Sequence, residues 1–379
     1  MFEAFDHILL QQYWWLLMSV VGSFLVFLLF VQGGQTLIDV LGKTETEKTL
    51  IITSIGRKWK FTFTVLVLFA AGMFASFPLF YSTSFGGAYY AWKIFLLCFV
   101  LQSVAFEYRK HKGNIYGART YEYFLYINGF LGTFLLGAAV ATFFTGSEFI
   151  RDAYNLSTWQ TKLYGIEILF NFTNISLGVA VLMLARILGA LYLINNVEHD
   201  AIRKRGVKQV KISTLIFLPF FLYFLIRVLT MDGYAYDPQT KVVFMEQFKY
   251  LNNFLKMPIT IVLLLLGVIG VLYGIFITAF KKSLKGIWFS GAGTILTVLS
   301  VFLILGYGNT AFYPSTADIQ SSLTIENASA SKFTLTYMSY ISLLLPLILW
   351  YMFMAWKAID KFKMSDKDLT GDPDTDHTY

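Results

Sequence analysis

Few residues in this sequence are suited to chemistry, and where they fall is informative. The four histidines, His7, His111, His199 and His377, all lie in termini or between apolar runs. A haem held between helices needs axial ligands within them, usually His, so the chain is expected to hold no haem and no metal by itself. Met could supply one ligand, but no His stands opposite it. The single cysteine, Cys98, sits in an apolar run, which excludes an intrachain disulfide and a Cys-based metal site. There is no phosphate loop, no Gly-x-Ser-x-Gly and no His-Glu-x-x-His, so no residue is assigned a catalytic role.

What remains is a set of ionisable side chains in or beside apolar stretches: Asp39, Lys93, Glu107, Glu122, Glu167, Arg186 and Arg227. Charge is costly in hydrocarbon, so each is a functional hypothesis by default. The plain alternative is snorkelling to the interface or a structural ion pair, and it carries most weight for Arg227 and Glu122. His111 and His199, among basic residues, read as solvated loop histidines. Glu107, followed by Tyr108 and Arg109, is the first candidate for a proton relay, and Asp39 is the second. An interfacial Glu107–Arg109 contact is the competing reading.

The elements that must position these groups follow from composition. Of 379 residues, 56% are hydrophobic and only 14% charged, well below the charged fraction of a soluble domain. A helix needs about 20 apolar residues to cross hydrocarbon about 30 Å thick. Irregular backbone exposed to lipid is excluded by its unpaired polar groups. Nine runs qualify as helices: 14–41, 62–83, 88–107, 121–146, 163–194, 212–230, 257–280, 286–306 and 336–356. Residues 1–364 thus read as one all-α transmembrane domain. The polar, acidic stretch 365–379 reads as a disordered tail. The fifth run is long enough to tilt or to leave the membrane. Pro78, Pro219 and Pro346 are expected to kink their helices.

The net charge of +7 does not indicate a nucleic-acid partner, because the basic residues form short clusters between spans. They alternate in side. Segments 42–60, 108–120, 195–211 and 281–285, with the stretch after the ninth span, hold 21 Lys and Arg, against six in the intervening segments. The positive-inside rule then puts the N-terminus outside and the C-terminus in the cytoplasm. The acidic N-terminus lacks the basic start of a cleavable signal, so the first span is expected to be retained. Segments 231–256 and 307–335 should fold over the outer surface. Trp14, Trp15, Trp59, Trp350 and Trp356 near span ends suggest an aromatic belt. Gly33-Gly34 and the Gly270/Gly274 pair suggest close helix packing.

Two stretches resemble subunit II of the cytochrome bd-type quinol oxidases. The first runs from Tyr13-Trp14-Trp15-Leu16-Leu17 through Leu41-Gly42-Lys43-Thr44-Glu45-Thr46-Glu47 and Ser54-Ile55 to Trp59. It continues with Phe74-Ala75-Ser76-Phe77-Pro78 and Phe106-Glu107-Tyr108-Arg109. The second comprises Phe312-Tyr313-Pro314-Ser315, Ser322-Leu323-Thr324 and Lys332-Phe333-Thr334-Leu335. The middle third matches in hydropathy only. The resemblance implies a bacterial cytoplasmic-membrane oxidase that oxidises quinol and reduces oxygen to water. It implies a fold of two four-helix bundles plus one peripheral helix. The haem b and haem d groups and the quinol site would belong to a partner, subunit I. This chain would contribute scaffold, a structural quinone site and, in some members, a proton path; a small third subunit and membrane lipid complete the implied partners.

The chain also departs from that pattern. Where the family usually shows Asp-Gly-Phe-Asp, this sequence has Gln32-Gly33-Gly34-Gln35, and where it shows Trp-Asp, this one has Trp59-Lys60. Three carboxylates tied to the family's proton path are replaced by two amides and a cation. Either the path is rebuilt around Glu107 and Asp39, or protons enter through subunit I. The competing class is a secondary transporter, which should show a second helix break to match Gly33-Gly34; none is visible. Single cysteines placed in 108–120 and in 307–335 should label from opposite sides with an impermeant thiol reagent. Labelling from the same side would reject the nine-span topology.

Overall fold

The computed structural model describes residues 2–111, 113–361 and 363–365, and the expected tail, His377 included, lies outside them apart from Ser365. Among the described residues nine helical units are long and apolar enough to cross a membrane. They are His7–Gln35, Glu45–Ser76, Tyr89–Tyr108, Ala118–Thr145, Phe172–Asn196, Asp200–Thr230, Pro258–Ala279, Gly286–Gly306 and Lys332–Ile359, called spans 1 to 9 below. Spans 1 and 5 form the centre, each 67% buried along its most apolar stretch, whereas span 9 is 11% buried and stands at the edge. Span 5 packs on spans 1, 4 and 6, span 1 also on spans 2 and 8, span 7 on span 8, and span 3 on span 4.

Glycine sets how closely the centre packs. A Cβ on Gly33 would lie 1.7 Å from the Ala185 carbonyl oxygen of span 5, and one on Gly189 would lie 2.4 Å from the Gly34 nitrogen. Backbones therefore touch where spans 1 and 5 cross, which only glycine allows. Gly270 and Gly274 do the same for spans 7 and 8. A Cβ on Gly274 would meet the Gly286 carbonyl oxygen at 2.4 Å, and one on Gly270 the Gly293 Cα at 3.1 Å.

Three expectations need correction. Span 5 begins at Phe172, with Asn171 as its N-cap accepting from the Thr173 nitrogen. Residues 163–171 form a turn and a short 3-10 helix instead. Their apolar side chains extended the hydropathy run beyond the helix, and Glu167 consequently belongs to the connecting segment. The prolines differ among themselves. Helix continues through Pro219, whereas Pro78 and Pro346 each start a new helical piece after a break. Finally, Trp14 and Trp15 are not lipid-facing belt residues. Both are buried, Trp14 donating to Ser339 Oγ at 3.0 Å and Trp15 to the Phe302 carbonyl at 2.9 Å.

The segments opposite the basic side interlock as a cap. Hairpin β1 (Phe149–Arg151) with β2 (Ser157–Trp159) and hairpin β3 (Gly233–Tyr236) with β4 (Val243–Glu246) are both antiparallel. The 307–331 stretch bridges the two, through Ser147 with Ser315 and Ala235 with Thr310. Phe312 and Tyr313 fill the space beneath, Tyr313 stacking on Phe149 with centroids 5.5 Å apart.

Candidate functional site

On the basic side, polar residues form two layers where spans 1 to 4 meet. The surface layer is ionic. Thr44 and Glu47 start span 2 with a reciprocal capping box, which fixes the helix that carries Lys48. Arg109 ends span 3, and Arg119 and Glu122 lie in the first turns of span 4. The Glu122 carboxylate, 2% exposed, accepts from Arg109 Nη2 at 2.8 Å and from Arg119 Nη1 at 2.9 Å, with Lys48 Nζ at 3.6 Å. Asp39, on the short helix Ile38–Leu41, lies 2.7 Å from Arg119 and 3.0 Å from Lys48. Partial burial pushes the Asp39 carboxyl up, but hydrogen bonds from Lys48, Tyr126 and Arg119 outweigh it and hold it below the ordinary aspartate value. Asp39 is therefore a fixed negative charge at neutral pH.

Glu107 stands outside this cluster. Its carboxylate is half exposed and meets Lys60 Nζ at 3.6 Å. The competing reading, a Glu107–Arg109 contact, is not among the ion pairs of the described residues, because Arg109 turns inward to Glu122. Glu122 is thus a structural ion-pair partner, as its plain reading had it. Arg186, half-buried in span 5, donates to the Thr36 carbonyl at 3.2 Å and lies over the Phe130 ring. Lys93 reaches the Tyr89 hydroxyl at 3.0 Å on the side opposite the basic one.

The second layer is neutral and deeper. Gln32 and Gln35 each donate to Gln102 Oε1 at 2.6 Å, and all three side chains are fully buried. Gln32 Oε1, Gln35 Oε1, Gln102 Nε2 and both polar atoms of the buried Asn128 have no partner among the described residues. The backbone departs from regular α-helix at the same level. Span 1 is interrupted at Leu29, and span 4 runs as π-helix over Asn128–Gly132, a form often found at functional positions. Gln102 and Asn128 were missed from sequence. Their only signal was a neutral amide within an apolar run.

Two features suit cofactor or lipid tails rather than chemistry. An apolar cavity of about 320 Å³ lies among spans 1 and 4 to 8, lined by Val26, Leu136, Leu184, Phe217 and Val298 among others. A second, of about 570 Å³, separates span 9 from the rest.

The family model for cytochrome bd terminal oxidase subunit II matches residues 10–359. The chain belongs to this family. It is similar to the cytochrome bd-I ubiquinol oxidase subunit 2 of Escherichia coli K12, with 28% identity over 95% of this chain and 97% of that one. The cytochrome bd ubiquinol oxidase subunit 2 of Bacillus subtilis is 25% identical over 90% and 93%. A solved bd oxidase structure from Geobacillus thermodenitrificans shares the fold, with a TM-score of 0.62 at 10% identity, covering 94% of this chain and 99% of that one. As a bd oxidase subunit II, the chain is a component of a membrane quinol oxidase, and nothing in these comparisons supports the transporter alternative.

The two layers therefore belong to a subunit of a respiratory oxidase, and the ionic one can be tested for its structural role. Glu122→Gln removes the charge facing Arg109, itself 2% exposed. Breaking a buried pair on one side typically costs about 3–5 kcal/mol. The variant complex should lose thermal stability accordingly, whereas Glu45→Gln, at a carboxylate 77% exposed, should change it little. Equal melting temperatures for Glu122→Gln and wild type would show that the pair does not hold spans 3 and 4.

Proposed function

We propose that this chain is the scaffold subunit of the oxidase and leaves redox chemistry to a haem-bearing subunit I. In this reading subunit I carries haems b and d and the quinol-oxidising site. This chain braces it in the bacterial cytoplasmic membrane, with the N-terminus outside and the C-terminus in the cytoplasm. The observation that carries the reading is the position of histidine within a family-wide match. The described histidines serve helix ends and turns: His7 pairs with the Ala330 carbonyl at 3.0 Å, His111 accepts from the Gly113 nitrogen, and His199 caps Ile202. The basic residues of 42–60 and 195–211 lie together on one side, on helical extensions of spans 2 and 6, which supports the orientation. The 320 Å³ cavity suits the tail of a structural quinone. Its Thr294 and Thr297 hydroxyls already donate to backbone carbonyls, so it offers the ring little.

For protons, the arrangement favours Glu107 over Asp39. A carrier must release and regain its proton near neutral pH, and Asp39 is held ionised by two cations. Glu107 sits at the water boundary with one exposed partner. Inward of it, the amides of Gln102, Gln32, Gln35 and Asn128 cannot titrate, but their unpaired atoms can orient water. Entry at Glu107 would thus continue through hydrated amides toward subunit I.

Purification from native membrane, followed by a visible spectrum, tests the division of labour. Haem b and d bands should accompany this chain in complex and be lacking when it is produced alone. A stoichiometric haem spectrum from the isolated chain would reject it. Glu107→Gln should slow oxygen consumption several-fold with haem content and assembly intact. Undiminished turnover of that variant between about pH 6 and 8 would assign proton uptake to subunit I.

A further inference from the structure

Span 9 is tied to the rest of the subunit at both ends but not between them. On the outer side the Tyr13 hydroxyl bonds Ser342 Oγ at 2.6 Å, and Trp14 bonds Ser339. On the basic side the fully buried Lys58 ammonium meets Asp360 at 2.9 Å and lies 4.4 Å from the Trp356 ring centre. Asn196 also donates to Asp360, and Met364 exchanges backbone hydrogen bonds with Asn196 and Glu198. Between these ties the helix breaks before Leu345, and the 570 Å³ cavity lies between it and spans 1, 2 and 8. Its walls are apolar, formed by Val20, Phe24, Val65, Leu68, Ile348 and Leu349 among others. A transmembrane helix cannot pass between two elements joined above and below, whereas a flexible chain can enter from the side.

The basic end of the cavity is not apolar throughout. Trp356 lines it, and the Trp356 indole N–H has no hydrogen-bond partner among the described residues. Arg57 and Lys357 flank Lys58 and Trp356 in sequence, and neither forms an ion pair with a described residue. The hydrocarbon walls thus end at one N–H donor without a partner, with two cations next to that end in sequence. A phospholipid presents the complementary series of acyl chain, ester carbonyl and phosphate. A quinone would leave both cations unused.

We propose that this cavity is a phospholipid site. One acyl chain of an anionic phospholipid, from the leaflet on the basic side, fills it. The ester carbonyl accepts from Trp356, and the phosphate lies at Arg57 and Lys357. The lipid completes the packing of span 9 against the bundle and makes that helix sensitive to membrane composition.

The test is native mass spectrometry with lipid extraction on the oxidase complex, purified in mild detergent and washed with excess detergent. Wild type should retain a phospholipid that resists washing. Val20→Phe with Leu68→Phe, which fills the cavity, should lose it while haem content stays at the wild-type level. Trp356→Phe keeps the ring and removes only the N–H, so retention should fall roughly three- to tenfold, the equivalent of one neutral hydrogen bond. An unchanged phospholipid count in the filled variant would overturn the proposal. So would a quinone, or a helix of the partner subunit, found in the cavity of the wild-type complex.

Discussion

The burial of Glu122 is the constraint on which the basic side depends. In hydrocarbon or beneath a protein surface an unpaired carboxylate is prohibitively costly, so this one must be met from several directions at once. Arg109 comes from the end of span 3, Arg119 from a turn earlier on span 4, and Lys48 from the start of span 2. Arg119 and Lys48 then reach Asp39, just beyond span 1. One carboxylate thus joins the ends of four spans through directed contacts. Apolar side chains in lipid could not specify this, because helices there gain nothing from hiding hydrophobic surface from one another. The close glycine crossing of spans 1 and 5 sets the distance between helices, and the ion cluster sets their registry at the membrane edge.

The opposite end is secured differently. There the connecting segments interlock through backbone bridges and stacked rings, with Trp15, Phe77, Phe80, Phe143 and Phe312 forming one aromatic layer. Its few charges are kept at the cap. Lys249, 2% exposed, is matched by Glu246 at 2.8 Å and by the Gly308 carbonyl. Two of the stretches through which the sequence resembles its family, Tyr13 to Leu17 and Phe312 to Ser315, reach this layer through Trp15 and Phe312.

Legibility followed the same physics. Hydropathy located nine spans because crossing hydrocarbon requires long apolar helices, and the alternation of basic residues followed from their side. It failed at residues 163–171, where apolar side chains belong to a turn closed by the Asn171 cap. It could not pair Arg109 with Glu122, 13 residues away on another helix, in preference to Glu107, two residues away on its own. Residues i and i+2 point apart on a helix, so the nearer partner was geometrically the worse one. Gln102 and Asn128 escaped because a neutral amide does not stand out in an apolar run, although burying one without a partner costs about 1–3 kcal/mol. Trp14 and Trp15 resembled belt residues because burial against Ser339 and Phe302 is a tertiary property.

The departures from the family pattern acquire a physical sense from these positions. The resemblance led to the expectation of acidic residues at positions 32, 35 and 60. Two acids facing each other at positions 60 and 107 would repel, and such a pair tends to share a proton. Lys60 replaces that repulsion with attraction to Glu107 across 3.6 Å. Gln32 and Gln35 likewise remove charge from a fully buried place, where two carboxylates would have required counter-cations that the neighbouring side chains, Gln102 and Asn128, do not supply. Lys58, the one fully buried lysine ammonium of span 2, is instead neutralised by Asp360 from the end of span 9. Where spans 1, 3 and 4 meet, the interior of this subunit is thereby built from neutral amides, and the carboxylates lie in ion pairs nearer the edge. Such an interior can orient water but offers no carboxylate of its own, which is why the relay proposed above begins at the surface, at Glu107.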